Sequence, residues 1–246
     1  VAILIFAGTK YYLNKESFSI NTILLKLNIP VGSESISSVK VTNNEKIEQT
    51  FEVYFDDKNS FAYTKDKKFT LGPGQSKEVE INFRDVNGNA EIYAGKLVIE
   101  TELLIREIPI ILGVEEEGHA FVIIQSSIPK YQDVYPGGKI GVEIRVFNVE
   151  NDLSHNVESK YSIKNLNNEL ILSEEENLLI KENFGIAKTI DAPETLPYGY
   201  YVFVTSIDYN ATKSMAGYLF NVSPKKQGIN GNFNFFVIVI SVFVIG

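Results

Sequence analysis

The chain lacks cysteine and tryptophan altogether, and it has only two histidines and one methionine among 246 residues. The absence of cysteine excludes a disulfide scaffold, a thiolate zinc site and a cysteine nucleophile. Two histidines leave little scope for multi-histidine metal chemistry. The net charge of −8 argues against nucleic-acid binding, which needs clustered Lys and Arg. We therefore expect no cofactor and no nucleic-acid partner.

The chain is rich in apolar residues, at 44%, so it can bury the cores of one large domain or two of about 120 residues. Apolar and polar residues alternate through much of it, as in 51–55 and 140–146, which is typical of half-buried antiparallel strands. Turn-forming clusters such as 71–74 and 136–138 separate these runs. The fold class is therefore predicted to be all-β. Only 170–180 competes as a helix, and its flanks favour two strands joined by a charged loop.

An internal repeat is visible at an offset of 105 residues. In each half a turn glycine opens a strand, an asparagine closes it, and a tyrosine precedes a late strand, where it could form a tyrosine corner. The paired landmarks are Gly32 with Gly137, Asn43 with Asn148, and Tyr93 with Tyr198. A repeat of this length predicts two tandem immunoglobulin-like β-sandwiches.

The two ends of the chain are strongly apolar. From 235 to 245 no residue is charged, and this stretch would cover about 16 Å as a helix, roughly half a hydrocarbon core. The alternatives are a buried strand at the first run, and a hydrophobic strand or packing helix at the last.

The sequence predicts six segments. They are the tail of a signal peptide or N-terminal membrane helix (1–9), a first sandwich (18–114), a linker (115–119), a second sandwich (120–223), a juxtamembrane linker (224–232) and the start of a transmembrane helix (233–246).

Several sequence runs carry a family resemblance. The runs are 38–43, 69–79 and 93–99 in the first half, and 134–138 and 196–201 in the second. The first half resembles the immunoglobulin-like modules of microbial surface proteins. The second is similar to repeats of membrane-anchored archaeal cell-surface proteins. The resemblance implies adhesive, scaffold or accessory work, and it offers no catalytic residues to carry over.

One loop has the oxygen ligands of a calcium site. Asp85, Asn87 and Asn89 place oxygen side chains at alternate positions. Gly88 falls at the fourth position instead of the sixth, however, and the bidentate acid at the twelfth position is missing. Asn-Gly is also the commonest turn dipeptide, so a tight hairpin is the favoured interpretation.

The remaining candidate side chains point to solvent rather than to chemistry. His119 falls in the linker and His155 in a polar loop, so both are expected to be solvated. Asn210 and Asn221 begin glycosylation sequons. Asn210 lies in a predicted turn that could accommodate a glycan, whereas Asn221 lies in a strand pattern.

These observations predict a non-enzymatic cell-surface protein, anchored in the membrane with its ectodomain outside, that acts structurally, adhesively or as an accessory subunit. Its expected partners are membrane lipid, through the C-terminal helix, and other surface or membrane-complex proteins; a homo-oligomer is a further alternative. One rival is a subunit of an extracellular filament or envelope lattice. Another is a carbohydrate-binding module with an aromatic cluster at its loops, for which the candidates are Tyr131, Tyr135, Tyr198 and Tyr200.

Overall fold

The computed structural model describes residues 16–55, 60–118, 121–149, 155–181, 183–210 and 212–225. Within these ranges the chain forms β-strands and a single 3-10 turn, Pro129–Tyr131, and it contains no α-helix. The predicted all-β class is therefore confirmed. No helix in the described ranges is long and apolar enough to cross a bilayer. The terminal runs predicted to lie in the membrane, 1–9 and 233–246, fall outside these ranges.

The first sandwich consists of two sheets on either side of one core. The smaller sheet has the order β1-β3-β7-β5 and the larger has the order β2-β9-β8-β4-β6. Phe18, Phe51 and Phe83 are fully buried between them. The strands are β1 (Phe18–Ile20), β2 (Leu25–Pro30), β3 (Glu34–Asn43), β4 (Gln49–Phe55), β5 (Ala62–Tyr63), β6 (Lys68–Leu71), β7 (Ser76–Arg84), β8 (Glu91–Glu100) and β9 (Ile105–Glu115).

The second sandwich repeats this arrangement with its own core. Its sheets have the orders β10-β11-β14 and β13-β12-β15-β16. Tyr161, Phe203 and Ile144 are buried between them. The strands are β10 (Phe121–Ser127), β11 (Lys139–Asn148), β12 (His155–Asn165), β13 (Leu170–Ile180), β14 (Asn183–Asp191), β15 (Gly199–Tyr209) and β16 (Thr212–Val222).

The two sandwiches share one immunoglobulin-like topology. The sheet β1-β3-β7 corresponds to β10-β11-β14, and the row β9-β8-β4-β6 corresponds to β16-β15-β12-β13. After its first strand, each unit crosses to the other sheet and pairs in parallel with the last strand. In the first unit β2 makes this pairing with β9, and in the second it is a single bridge between Val134 and Val222. The repeat in the sequence is thus a repeat of topology.

The landmarks of the repeat have different outcomes. Gly32 and Gly137 both have φ of 73°, which is the left-handed conformation that glycine adopts without cost. The Asn43 side-chain amide donates to the carbonyls of Leu71, at 2.9 Å, and of Ile47, at 2.8 Å, so it closes the strand end as expected.

Tyr198 directly precedes a late strand, β15, as predicted, but neither tyrosine landmark forms the predicted tyrosine corner. Tyr93 lies inside β8 rather than before it, and Tyr198 is 64% exposed. The tyrosine-corner type of bond is made instead by Tyr201, whose hydroxyl donates to the carbonyl of Pro197 at 2.9 Å. Gly199 lies between the two tyrosines with φ of 139°. The buried tyrosine of the second unit is therefore Tyr201, three residues later than Tyr198, the position that the repeat predicts.

The acidic run at 174–176 is neither a helix nor a loop. Strand β13 continues through it without a break and pairs with β12. Lys188 of β14 lies 3.2 Å from the Glu174 carboxylate and 3.5 Å from that of Glu176, while Glu175 pairs with Lys160 at 2.7 Å. Lys160 on the paired strand β12 and Lys188 on β14 of the facing sheet therefore compensate the charge run and allow an extended backbone.

Candidate functional site: the interface between the sandwiches and the exposed surfaces

The two larger sheets of the sandwiches meet through their outer faces. In β8 the side chains of Ile92 and Ala94 point away from the first core, and in β15 those of Val202 and Val204 point away from the second. Together with Ile111 and Leu166 they form a separate buried cluster between the units. We call β2-β9-β8-β4-β6 and β13-β12-β15-β16 the central sheets. The sheets β1-β3-β7-β5 and β10-β11-β14 are called peripheral.

One lysine connects the units with two hydrogen bonds and makes a third within its own unit. The Lys164 ammonium, on β12, donates to Glu91 Oε1 at 2.8 Å, to the Ile92 carbonyl at 2.8 Å and to Asn168 Oδ1 at 3.3 Å. The Lys164 side chain is only 14% exposed. Asn168 Oδ1 also accepts the backbone N–H of Ala94 at 3.1 Å. Charge-assisted bonds at a partly desolvated site are stronger than surface ion pairs, so this set fixes one orientation.

The other side of the interface depends on a glycine. Lys26 of β2 donates to the Gly217 carbonyl of β16 at 2.7 Å, and burial lowers the Lys26 pKa. A Cβ atom at position 217 would lie 2.9 Å from Ile111 and 3.2 Å from Ile92. Position 217 therefore has to be glycine for the two sheets to come this close.

A cleft of about 300 Å³ runs along the same junction. Its lining includes Lys26, Asn28 and Glu115 from the first unit and Phe121 and Met215 from the second. The Asn28 amide donates to the Glu115 carboxylate, and Lys26 is bonded to Gly217. These polar groups of the cleft thus bond to one another across or along the junction. We therefore interpret the cleft as part of the interface between the sandwiches.

The structure separates the four tyrosines proposed for carbohydrate binding. Tyr131 lies against Gly141, and Tyr135 lies against Gly138, so both rings are used in packing. Tyr198 and Tyr200 are exposed, at 64% and 47%. Only these last two offer ring faces to a ligand.

The loop with calcium-type residues is held by its own backbone. Asp85 Oδ1 accepts the N–H groups of Asn87, at 3.0 Å, and Gly88, at 3.1 Å, while Oδ2 accepts Gly32 N–H at 2.8 Å. Desolvation acts to raise the Asp85 pKa, but these backbone donors outweigh it and hold the pKa below its ordinary value. Asn89 Nδ2 donates to the Asn87 carbonyl at 3.0 Å. Across the described ranges, no three His, Cys, Asp or Glu side chains are grouped as a metal site would require.

Three of the four histidine and sequon residues lie in the described ranges, each in a different environment. His119 lies outside the described ranges. His155 begins β12, and its ring is 4.4 Å from that of Tyr209 and 6.1 Å from that of Phe121, so the expectation of a solvated loop was wrong. Asn210 is exposed in the turn between β15 and β16 with φ of 48°. Asn221 is exposed near the end of β16, opposite Tyr200.

Lys164, Asn168 and Gly217 were missed by the sequence analysis. Each belongs to a common residue type in an ordinary polar or strand context, and none belongs to a motif. The available signal was indirect, because 108–112 and 201–204 are apolar without alternation. Such runs are typical of strands that are covered on both faces.

No protein-family model matches the sequence, and no curated protein matches it either. Among solved structures, a protein of unknown function from Porphyromonas gingivalis W83 is similar, with 12% identity, a TM-score of 0.45, and 84% of this chain and 98% of that chain covered. The ASH/PapD-like domain 7 of human CEP192 has 14% identity and a TM-score of 0.37, over 47% of this chain and 96% of that domain. A chain of the CsuC-CsuE chaperone-tip adhesion subunit pre-assembly complex of Acinetobacter baumannii has 12% identity and a TM-score of 0.34, over 81% and 97%. Scores and identities this low say nothing about function.

Proposed function

We propose that this chain is a non-enzymatic, membrane-anchored cell-surface protein whose two sandwiches act as one stiff structural or adhesive unit. The observation that carries the proposal is the interface between the central sheets. A pair of independent modules on a linker would need no buried apolar cluster and no bonded lysine between them. Here both are present, which supports a body that holds its shape under load.

A stiff unit of this kind works by presenting surface at a fixed geometry. The peripheral sheets direct polar side chains such as Ser38, Lys40 and Glu78 to solvent, which suits an ectodomain. Contacts with other surface proteins would be made by loops and sheet edges. An orientation that does not change costs less conformational entropy when a partner binds.

The anchoring part of the proposal rests on the sequence. The segment 235–245 has no charged residue and only Ser241 is polar, which fits the first half of a transmembrane helix. Residues 224–232 would then connect the second sandwich to the bilayer. In this arrangement the ectodomain lies on the extracellular side of the cell membrane.

Protease shaving of intact cells, followed by peptide mapping of the membrane fraction, tests this proposal. We expect loss of peptides from the two sandwiches and retention of the segment 233–246 in the membrane. A matched digestion after lysis controls for intrinsic resistance of the fold. Protection in intact cells combined with cleavage after lysis would overturn the surface location and favour a cytoplasmic subunit of a membrane complex.

A further inference from the structure

Three large apolar side chains are exposed together at one end of the first sandwich. Ile47, in the loop after β3, is 63% exposed, Leu103, in the turn after β8, is 61% exposed, and Ile105, at the start of β9, is 55% exposed. Ile47 and Leu103 line a common depression of about 190 Å³. We call these three residues the tip patch.

The tip patch lies at the far end of the central sheet from the second sandwich. The β8–β9 hairpin contacts the second unit near Ala94 and turns at 101–104. Glu100 lies six positions after Ala94 along the strand, which corresponds to about 20 Å. The second sandwich therefore does not cover the tip patch.

The described part of the chain begins at this same end. Arg106, the residue after Ile105, forms an ion pair with Glu16. The Glu16 carbonyl accepts Asn44 Nδ2 at 3.2 Å, and the Ser17 carbonyl accepts Gln49 Nε2 at 3.0 Å. The residues that precede Glu16 are therefore joined to the molecule beside the tip patch.

Those preceding residues have the composition of a membrane boundary. Val1 to Gly8 are almost wholly apolar, and Lys10, Tyr11 and Tyr12 follow at once. Tyrosine and lysine are the side chains that flank hydrocarbon-spanning segments at the headgroup level. The seven residues 9–15 can extend over at most about 25 Å. An apolar run inserted in a bilayer would thus keep the tip patch close to the lipid surface.

We propose that the tip patch docks on the surface of the lipid bilayer and sets the angle at which the first sandwich stands on it. Ile47, Leu103 and Ile105 enter the boundary between headgroups and acyl chains. Glu48 and Glu102 also line the depression, so the surface favours zwitterionic over anionic headgroups. This inference rests on the membrane anchoring in the proposed function, and it adds to the C-terminal anchor a second insertion through the apolar run 1–8.

The absence of native tryptophan allows a direct test. The substitution Leu103→Trp introduces a single fluorescent reporter into the full chain, which is reconstituted into vesicles of phosphatidylcholine with brominated acyl chains. Bromine quenches tryptophan that enters the acyl region. We expect about a twofold loss of fluorescence and a blue shift relative to unbrominated vesicles, as for a side chain about 5–10 Å below the surface.

The matched control is Ile36→Trp, at a position that is 63% exposed, close to the 61% of Leu103, but lies on the peripheral sheet, on β3. Its emission should not change with bromination. A second reporter, Ile47→Trp, should behave as Leu103→Trp does. Replacing part of the phosphatidylcholine with phosphatidylglycerol should reduce quenching at both tip positions.

The outcomes separate this inference from the proposed function. If the chain remains in the vesicles but Leu103→Trp is quenched no more than Ile36→Trp, the tip patch does not dock and the anchoring stands. If the chain does not associate with vesicles at all, the anchoring fails and this inference fails with it. If Leu103→Trp is already blue-shifted without lipid, residues 1–15 cover the patch, and lipid docking is overturned.

Discussion

The peripheral and central sheets of this molecule differ in how many of their faces are buried. In β3 the alternation is clear, because Val39 and Val41 are fully buried while Ser38 and Lys40 are exposed. In β15 every residue from 201 to 207 is buried, whichever face it occupies. One face of β15 covers the second core, and the other meets the first sandwich.

The difference shows how a repeated module becomes part of a larger body. Neither central sheet needed a new topology, since the strand order is shared between the units. Apolar residues on the outer faces, together with Gly217 and Lys164, join the two sheets. Substitutions on either face of a central sheet should therefore lower the stability of the protein. On a peripheral sheet, only substitutions on the face that covers the core should do so.

Substitution of neighbouring residues should show the largest effect of this difference. Phe203→Ala removes a ring from the second core and should cost about 3–5 kcal/mol of unfolding free energy. Val202→Ala removes two methyl groups from the opposite, interface face and should still cost about 1–2 kcal/mol. In β3 the outer face is exposed to solvent. The corresponding outer-face variant, Lys40→Ala, should therefore change the unfolding free energy by less than about 0.5 kcal/mol. Urea unfolding measures all three, and a neutral Val202→Ala would contradict the buried interface.

Alkaline pH should destabilise the central sheets through their buried tyrosines. Burial, together with the nearby Glu91 and Asp85 carboxylates, raises the pKa of Tyr93 in β8 to about 12. Burial also raises the pKa of Tyr161 in β12 and of Tyr201 in β15. The unfolded chain then loses its tyrosine protons at lower pH than the folded chain does. The stabilisation is complete below about pH 10 and is lost as the pH rises through 12.

For Tyr93 this loss amounts to about 2–3 kcal/mol. Unfolding free energies measured from about pH 9 to about pH 12 should fall steeply for the native chain and less steeply for Tyr93→Phe. Tyr161 and Tyr201 contribute to the slope that remains in the variant. Identical slopes in the two proteins would show that Tyr93 ionises as freely when folded as when unfolded.

The glycine at the interface should be sensitive to size while another strand glycine is not. Gly217→Leu places a side chain against Ile111 and Ile92, so we expect a cost of about 1–3 kcal/mol and separation of the units. The control is Gly185→Leu in β14, where no heavy atom lies within 4 Å of the added Cβ. Small-angle scattering should show a larger radius of gyration for the first variant alone. Equal radii would mean that the sheets do not pack closely at position 217.

The smallest expected effect concerns the bonded lysine. Lys164→Met keeps the aliphatic stem but removes the bonds to Glu91, Ile92 and Asn168, which should cost about 1.5 kcal/mol. A double-mutant cycle with Glu91→Gln isolates the ion pair from the bonds to the other two groups. The exposed pair Lys68–Glu52 is the control, and its coupling should be near zero. Equal coupling energies in the two cycles would place Lys164 among ordinary surface ion pairs.

Much of the fold could be predicted because local patterns determine it. Alternation and turn glycines located strands such as β3 and β11, and the 105-residue offset maps their bounds, 34–43 and 139–148, directly onto each other. The acidic run in β13 was misjudged because its compensating cations come from other strands, Lys160 from the paired strand β12 and Lys188 from β14 of the facing sheet. Pairing between strands is not visible in a local window.

The interface could not be predicted for a related reason. An unalternating run such as 108–112 shows that both faces of a strand are apolar, but it does not show what covers the second face. Lys164 has the sequence context of a surface lysine, and only the approach of β8 makes it a buried donor. The tyrosine corner moved from Tyr198 to Tyr201 because backbone conformation at Gly199, rather than spacing, decides which ring turns inward.

The most direct test of the central claim is a distance measurement between the two sandwiches. Because the chain has no native cysteine, Lys40→Cys on β3 and Asn177→Cys on β13 allow one spin label on each unit. Pulsed electron spin resonance should give a single narrow distance distribution, which Gly217→Leu broadens. A broad distribution in the otherwise native chain, unchanged by Gly217→Leu, would show that the sandwiches move independently and would contradict the account of one stiff body.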